Sequence, residues 1–204
     1  MKIALTGGIA CGKSLFAKFL RELGVQVLDA DDVVHELESP GGAAVSAIAA
    51  RFGSEVLAPD GGVDRPHLAE EVFGDGSQDA RRDLESIVHP LVRERLSSFA
   101  ASCANSFQTP IRVAIIPLLF ESHWEEDYDI IVCVVSTEER QLDRMMRTRG
   151  YSRAQAEARL RAQMPVCEKI ARSGYVVKND STPEHLKVEA ARLVAWLEEM
   201  SRNG

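Results

Sequence analysis

Residues 7 to 14 read Gly-Gly-Ile-Ala-Cys-Gly-Lys-Ser, which is the spacing G-x-x-x-x-G-K-[ST]. Glycines at such positions let successive backbone N–H groups turn inward around a phosphate. The N-terminus of the following helix adds the positive end of its dipole. In this chemistry Lys13 bridges the β- and γ-phosphates of a nucleotide and the Ser14 hydroxyl ligates Mg²⁺. The loop amides of Gly8, Ile9, Ala10, Cys11, Gly12, Lys13, Ser14 and Leu15 form the expected nucleotide cradle. The bland alternative is a glycine-rich turn at a strand–helix junction. An apolar strand before the loop and an amphipathic helix after it favour the phosphate loop.

A nucleotide loop leaves the acceptor open. The run Leu-Asp-Ala-Asp-Asp places Asp29, Asp31 and Asp32 at the C-terminal end of a second strand, the sheet edge where ligands sit in open parallel sheets. A carboxylate there can take the proton of an attacking hydroxyl, and Asp31 is the favoured base. The alternative is capping of the helix that follows. Between residues 140 and 172 nine basic residues face three acidic ones, inside a chain of net charge −7. Arg140, Arg144 and Arg147 share one helical face by their spacing. Arg144 and Arg147 are read as phosphate ligands, since planar guanidinium groups suit phosphate oxygens. Arg153, Arg159 and Arg161 are read as a solvated face. Thr-Arg-Gly-Tyr-Ser at 148–152 reads as the hinge of a lid that closes over the nucleotide.

These groups need a scaffold. Short apolar runs at Lys2–Thr6, Val25–Leu28, Arg112–Leu119, Ile130–Val135 and Tyr175–Val177 alternate with helical patterns. That alternation predicts an α/β fold, a parallel sheet with helices on both faces. Phe16, Phe19, Leu20 and Leu23 repeat at helical spacing before Gly24. Ser136–Glu139 and Ser152–Gln155 have capping-box spacing, and Thr182-Pro183 marks another helix start. The stretch from 32 to 108 is mostly helical without a good strand. The predicted domain is single, with a core over 1–32, 109–139 and 173–204, a helical acceptor-binding insertion over 33–108 and a lid over 140–172.

The chain has 204 residues, 45% apolar and 27% charged, which suits one globular domain. The N-terminal run ends in glycines and has no signal-peptide pattern, and no apolar run reaches the roughly 18–20 residues of a membrane span. A cytoplasmic location without membrane partners is expected. The acidic balance disfavours general nucleic-acid binding. Cys11, Cys103, Cys133 and Cys167 are far apart, as are the five histidines; reduced thiols and no structural metal are expected. Sequence leaves the oligomeric state open. The absence of D-x-x-G and N-K-x-D disfavours a GTPase switch. A small kinase remains, with a nucleotide-binding regulator without turnover as the alternative class.

Together these residues resemble the dephospho-CoA kinase family. The resemblance rests on LTGGIACGKS, VLDADDVVHE, VDRPHLAEEVF, HPLVRE, IIPLLFE, QLDRMMRTRG, RLRAQM and EKIARSGYVVKND, in that order along nearly the whole chain. It implies a P-loop kinase core, a helical CoA-binding insertion and a short lid, with ATP and Mg²⁺ used to phosphorylate the ribose 3′-hydroxyl of dephospho-CoA, the last step of CoA biosynthesis. It implies Asp31 as base, Lys13 and Arg144 as the groups stabilising the transferring phosphoryl, and Ser14 at Mg²⁺. Arg65, His89, Pro117, Leu118 and Glu121 fall in acceptor-side segments, although Pro90 can simply start a helix and Leu118–Phe120 can be core. Asn179 is a candidate near the adenine edge. A kinase acting on a nucleoside monophosphate or a sugar is the runner-up within the same fold.

This chain departs from the family pattern G-G-I-G-S-G-K-[ST] at Ala10 and Cys11, and from a common arginine at Pro66. Alanine at 10 is tolerable only where its φ stays negative, and at most a modest loss of ATP affinity is expected. Cys11, at a helix N-terminus near a thiol-bearing substrate, is either redox-sensitive or an inert buried cysteine.

Overall fold

The computed structural model describes residues 1–74, 77–101 and 111–203. Cys103 and the end of the expected insertion at 108 lie outside the described residues. The chain divides into two compact units, one of Met1–Leu28 with Ala100–Gly204 and one of Asp29–Phe99.

The first unit is built on five strands: β1 (Ile3–Gly7), β2 (Gln26–Asp29), β3 (Arg112–Ile115), β4 (Ile130–Val135) and β5 (Tyr175–Lys178), in the order β2-β3-β1-β4-β5. β1 pairs in parallel with both β3 and β4, and β4 with β5. Every residue of β1 and β4 is buried, the continuous apolar run expected of strands covered on both faces. Helix α1 (Lys13–Glu22) and helix α9 (Pro183–Asn203) pack together on one face. There Phe16, Leu20, Leu186 and Leu193 close over Ile3, Leu5, Val132 and Val134. Further helices of this unit are α6 (Glu138–Arg149), α7 (Arg153–Arg161) and α8 (Val166–Ala171), the last against β4.

The helix ends follow local chemistry, with one exception. α1 stops at Gly24 (φ 85), where the N–H groups of Gly24 and Val25 bond the carbonyls of Arg21 and Leu20, a Schellman closure. Leu23, outside the helix, is 40% exposed and does not join the core. Ser152 and Gln155 form a reciprocal capping box at α7, and Thr182 Oγ1 accepts from His185 N–H at α9. The exception is the predicted box at Ser136–Glu139. α6 starts at Glu138 with Thr137 as N-cap and no side-chain cap of its own. Ser136 Oγ instead donates to the Asn179 carbonyl, and Asp180 Oδ1 accepts the Thr137 N–H at 2.8 Å. A long-range carboxylate thus replaces the local cap.

The second unit contains α2 (Ala30–Glu38), α3 (Val45–Phe52), α4 (Arg65–Phe73) and α5 (Gln78–Ala101). It carries no strand among the described residues, only an isolated bridge between Leu57 and Val63. Pro90 does not start a helix; it lies inside the 24-residue α5. Asp64 caps α4 through the His67 N–H, with Pro66 in its first turn.

Candidate active site

The loop between β1 and α1 has its carbonyls taken from outside, one after another. Lys13 Nζ donates to the carbonyls of Gly7 and Gly8 at 2.8 and 2.9 Å. Gln141 Nε2 donates to Ile9 O at 2.5 Å, Arg144 Nη1 to Ala10 O at 3.0 Å, and Asn179 Nδ2 to Cys11 O at 2.8 Å. Gly12 O accepts the Phe16 N–H as the first bond of α1. With the carbonyl ends of these peptides tied down, the loop can turn N–H groups toward an anion. The first N–H groups of α1, at Lys13, Ser14 and Leu15, have no acceptor within their own helix. They are the helix-terminal donors a phosphate needs.

Two loop glycines are required by what passes over them. A Cβ on Gly12 (φ 100) would stand 2.1 Å from Asn179 Nδ2, and one on Gly8 would stand 2.7 Å from Gln141 Nε2. Ala10 does not meet the condition set for it: its φ is +55, in the left-handed region. That conformation costs an L-residue about 1–2 kcal/mol. The charged hydrogen bond from Arg144 to its carbonyl is of a size, about 1.5–3 kcal/mol, to offset it. Cys11 is 1% exposed and packs in the main core, the inert alternative rather than an accessible redox thiol. Nearby Cys133 is pushed up to about 11, chiefly by burial.

Arg144 reaches the loop from the middle of α6, its Nη2 also donating to Asn179 O at 3.0 Å. Asn179, expected beside the base, is buried with its amide spent on the loop. Arg147 is 78% exposed and pairs with Asp143 one turn back. Arg153 and Arg161 pair with Glu157, and Arg159 stacks on Tyr151 at 4.4 Å, so these three are the solvated face. Lys169, counted in the basic segment, does not belong to it. Its side chain is 1% exposed and its Nζ lies 2.7 Å from Glu121 Oε1.

Glu121 is therefore fixed by the first unit itself, its Oε1 also accepting the Met164 N–H at 3.1 Å. Burial pushes its carboxyl up, but Lys169 and the backbone N–H groups outweigh burial and hold it below its ordinary value. Pro117 O accepts from Thr6 Oγ1. Leu118 is 40% exposed, whereas Leu119 and Phe120 are core, so the apolar run splits. A cavity of about 450 Å³ is lined by Gly8, Gln141, Gln163, Met164 and Lys169 among others.

In the second unit Asp31 is exposed in the first turn of α2, and Asp29 is the N-cap, its side chain accepting the Asp31 N–H at 3.0 Å. Capping thus falls to Asp29 and leaves the Asp31 carboxylate to solvent. Arg65 pairs with Glu38 at 2.9 Å and lies 3.3 Å from His35 Nδ1. His89 sits half-buried in α5, and burial lowers its pKa against the opposing effect of Glu85.

The residues fit a divalent cation that arrives with a nucleotide. Ser14 presents an exposed hydroxyl at the α1 N-terminus. Among the described residues no group of three His, Cys, Asp or Glu could hold a metal. Mg²⁺ keeps several waters and binds substrate phosphates, and the P-loop hydroxyl is one of its protein ligands in this class of site.

Sequence reasoning missed Gln141, Gln163 and the structural use of Lys169. Both glutamines lie inside QLDRMMRTRG and RLRAQM, but a neutral amide announces no chemistry. Only the fold reveals that they meet the loop.

The parallel sheet, the β1–α1 phosphate loop and the arginine-bearing helix behind it define a kinase of the P-loop class. A shikimate kinase from Acinetobacter baumannii, 17% identical with a TM-score of 0.54 over 97% of this chain and 93% of that one, shares the fold. The family model for dephospho-CoA kinase matches residues 1–185, and the chain belongs to that family. It is 45% identical to a dephospho-CoA kinase of Anaeromyxobacter dehalogenans over 195 residues, 96% of this chain and 91% of that one. Among solved structures, a Thermus thermophilus protein matches with a TM-score of 0.77 at 32% identity, over 97% of both chains. A Campylobacter jejuni dephospho-CoA kinase matches with a TM-score of 0.74 at 25% identity, over 98% of this chain and 100% of that one.

Proposed function

We infer that this chain transfers the γ-phosphoryl group of ATP to the ribose 3′-hydroxyl of dephospho-CoA, giving CoA and ADP, the last step of CoA biosynthesis. The observation that carries the reading is the loop whose carbonyls are tied off from Gly7 to Cys11, in a chain that matches the family over residues 1–185. Amides between Gly8 and Leu15 bind the ATP phosphates, except those of Ile9 and Cys11, whose N–H groups are held by Gln163 Oε1 and the Gly8 carbonyl. On their arrival the Lys13 ammonium exchanges the Gly7 and Gly8 carbonyls for β- and γ-phosphate oxygens. Ser14 Oγ would help hold Mg²⁺, which would supply charge neutralisation at the phosphates. Arg144 holds the loop and sets its delocalised charge behind it. Arg147, tied only by an exposed local pair, is free to turn to the phosphates when the lid segment closes.

Asp31 accepts the proton of the 3′-hydroxyl, and its exposure leaves it available for that contact. Arg65, His89, Pro117, Leu118 and Glu121 belong to the acceptor side, Glu121 by setting the position of the segment that carries Leu118. No helix among the described residues is long and apolar enough to cross a membrane, and we place the enzyme in the cytoplasm with small-molecule partners.

The roles separate on substitution. Asp31→Asn should lower kcat by about 10²–10⁴-fold, the typical contribution of a general base, and leave the Kd for Mg·ATP within about threefold of wild type. Equal turnover of Asp31→Asn and wild type would remove Asp31 from the mechanism.

A further inference from the structure

The Ile9 residue of the phosphate loop is held on both of its backbone polar groups by glutamines from the basic segment. Gln141, in the first turns of α6, donates from Nε2 to Ile9 O at 2.5 Å. Gln163, just beyond the end of α7, accepts the Ile9 N–H on Oε1 at 2.7 Å. The backbone itself settles which amide atom faces which group, because a carbonyl must meet a donor and an N–H must meet an acceptor. Gln141 is 6% exposed, and glycine at position 8 leaves room for its side chain. The Gly8–Ile9 peptide therefore has Lys13 on its oxygen and Gln163 on its nitrogen. The stretch between the two glutamines carries Arg144, Arg147 and the Gly150 hinge.

We propose that Gln141 and Gln163 form a clip on Ile9, acting as positioning residues through which the basic segment sets the geometry of the phosphate loop. Neither needs to touch a nucleotide. Their effect passes through the two peptides that flank Ile9, so the clip orients the loop amides that follow them. The clip rests on the kinase reading for its turnover measurement, but not for its binding measurement.

The test uses Gln141→Ala, Gln163→Ala, the double variant, Gln141→Glu and Gln163→Glu. It reads kcat and KM with ATP and dephospho-CoA, the Kd of Mg·ADP by calorimetry, and the thermal midpoint. Each alanine variant should lose about tenfold in kcat/KM for ATP, the scale of one lost hydrogen bond, with KM for dephospho-CoA unchanged. Because both side chains grip one residue, the double variant should be little worse than the worse single. The two glutamate variants add the same charge against the same residue, yet only Gln163→Glu keeps the required acceptor. Gln141→Glu should therefore bind Mg·ADP at least fivefold more weakly than Gln163→Glu, an order set by one retained hydrogen bond. Packing alone would lower the thermal midpoint without that contrast.

Alanine variants within twofold of wild type, multiplicative losses in the double variant, or equal Mg·ADP affinity of the two glutamate variants would each overturn the clip. If the wild type bound Mg·ADP but left dephospho-CoA unphosphorylated, the family reading would fail, and the Mg·ADP contrast would still decide the clip.

Discussion

At the phosphate loop, conformation is set by residues that hold carbonyls rather than phosphates. Ala10 shows the balance. A left-handed alanine is a liability of about 1–2 kcal/mol, and it persists because Arg144 takes its carbonyl. Gly12 has no such remedy, since a β-carbon there meets the buried Asn179 amide at 2.1 Å. Gly12→Ala should therefore weaken Mg·ATP binding by more than about tenfold, because the amide of Asn179 must leave the Cys11 carbonyl, a loss of about 1.4 kcal/mol or more. Ala10→Gly, which removes strain, should bind at least as well as wild type. Calorimetric titration of both variants checks this, and tight binding by Gly12→Ala would contradict the loop geometry. The sequence reading anticipated the loop from its glycines and lysine. It could not anticipate the sign of φ at Ala10, which is decided by an arginine 134 positions away.

At the scale of elements, the buried pair between Glu121 and Lys169 fastens α8 to the segment after β3. Removing one partner of a buried pair typically costs about 3–5 kcal/mol, and Glu121, still 23% exposed, should sit near the low end. Lys169→Met should lower the thermal midpoint, and Lys169→Met with Glu121→Gln should recover part of the loss. The pair also fixes a pH dependence. The folded carboxyl of Glu121 lies below 4.5, its ordinary value, so the unfolded chain takes up the proton first as pH falls. The contribution of the pair is full above about pH 4.5 and is lost as pH falls through the lower folded pKa. Urea unfolding should show the gap between wild type and Lys169→Met narrowing as pH falls from about 7 to below 4.5; a constant gap would contradict the pairing.

Element-level features were the most legible part of the chain. The strands declared themselves as apolar runs, and Ser152 and Thr182 capped their helices as spacing predicts. The Ser136 box failed because Asp180, distant in sequence, supplied a better acceptor. Lys169 departs from its reading for the same reason. A charged residue in a basic run looks solvated until the fold supplies a buried partner.

At the scale of the whole molecule, an acidic chain handles two anionic substrates, so recognition must come from local geometry rather than overall field. Its loop concentrates donors in one place, and its basic segment reaches that loop through neutral amides as well as arginines. Family membership and the clamped loop converge on one reaction. The most direct measurement is ADP release with Mg·ATP and dephospho-CoA as acceptor, set beside AMP, CMP and shikimate. Rapid ADP release with dephospho-CoA alone is the predicted result. Silence with dephospho-CoA and turnover with another acceptor would leave the P-loop kinase fold standing and contradict the assignment of its substrate.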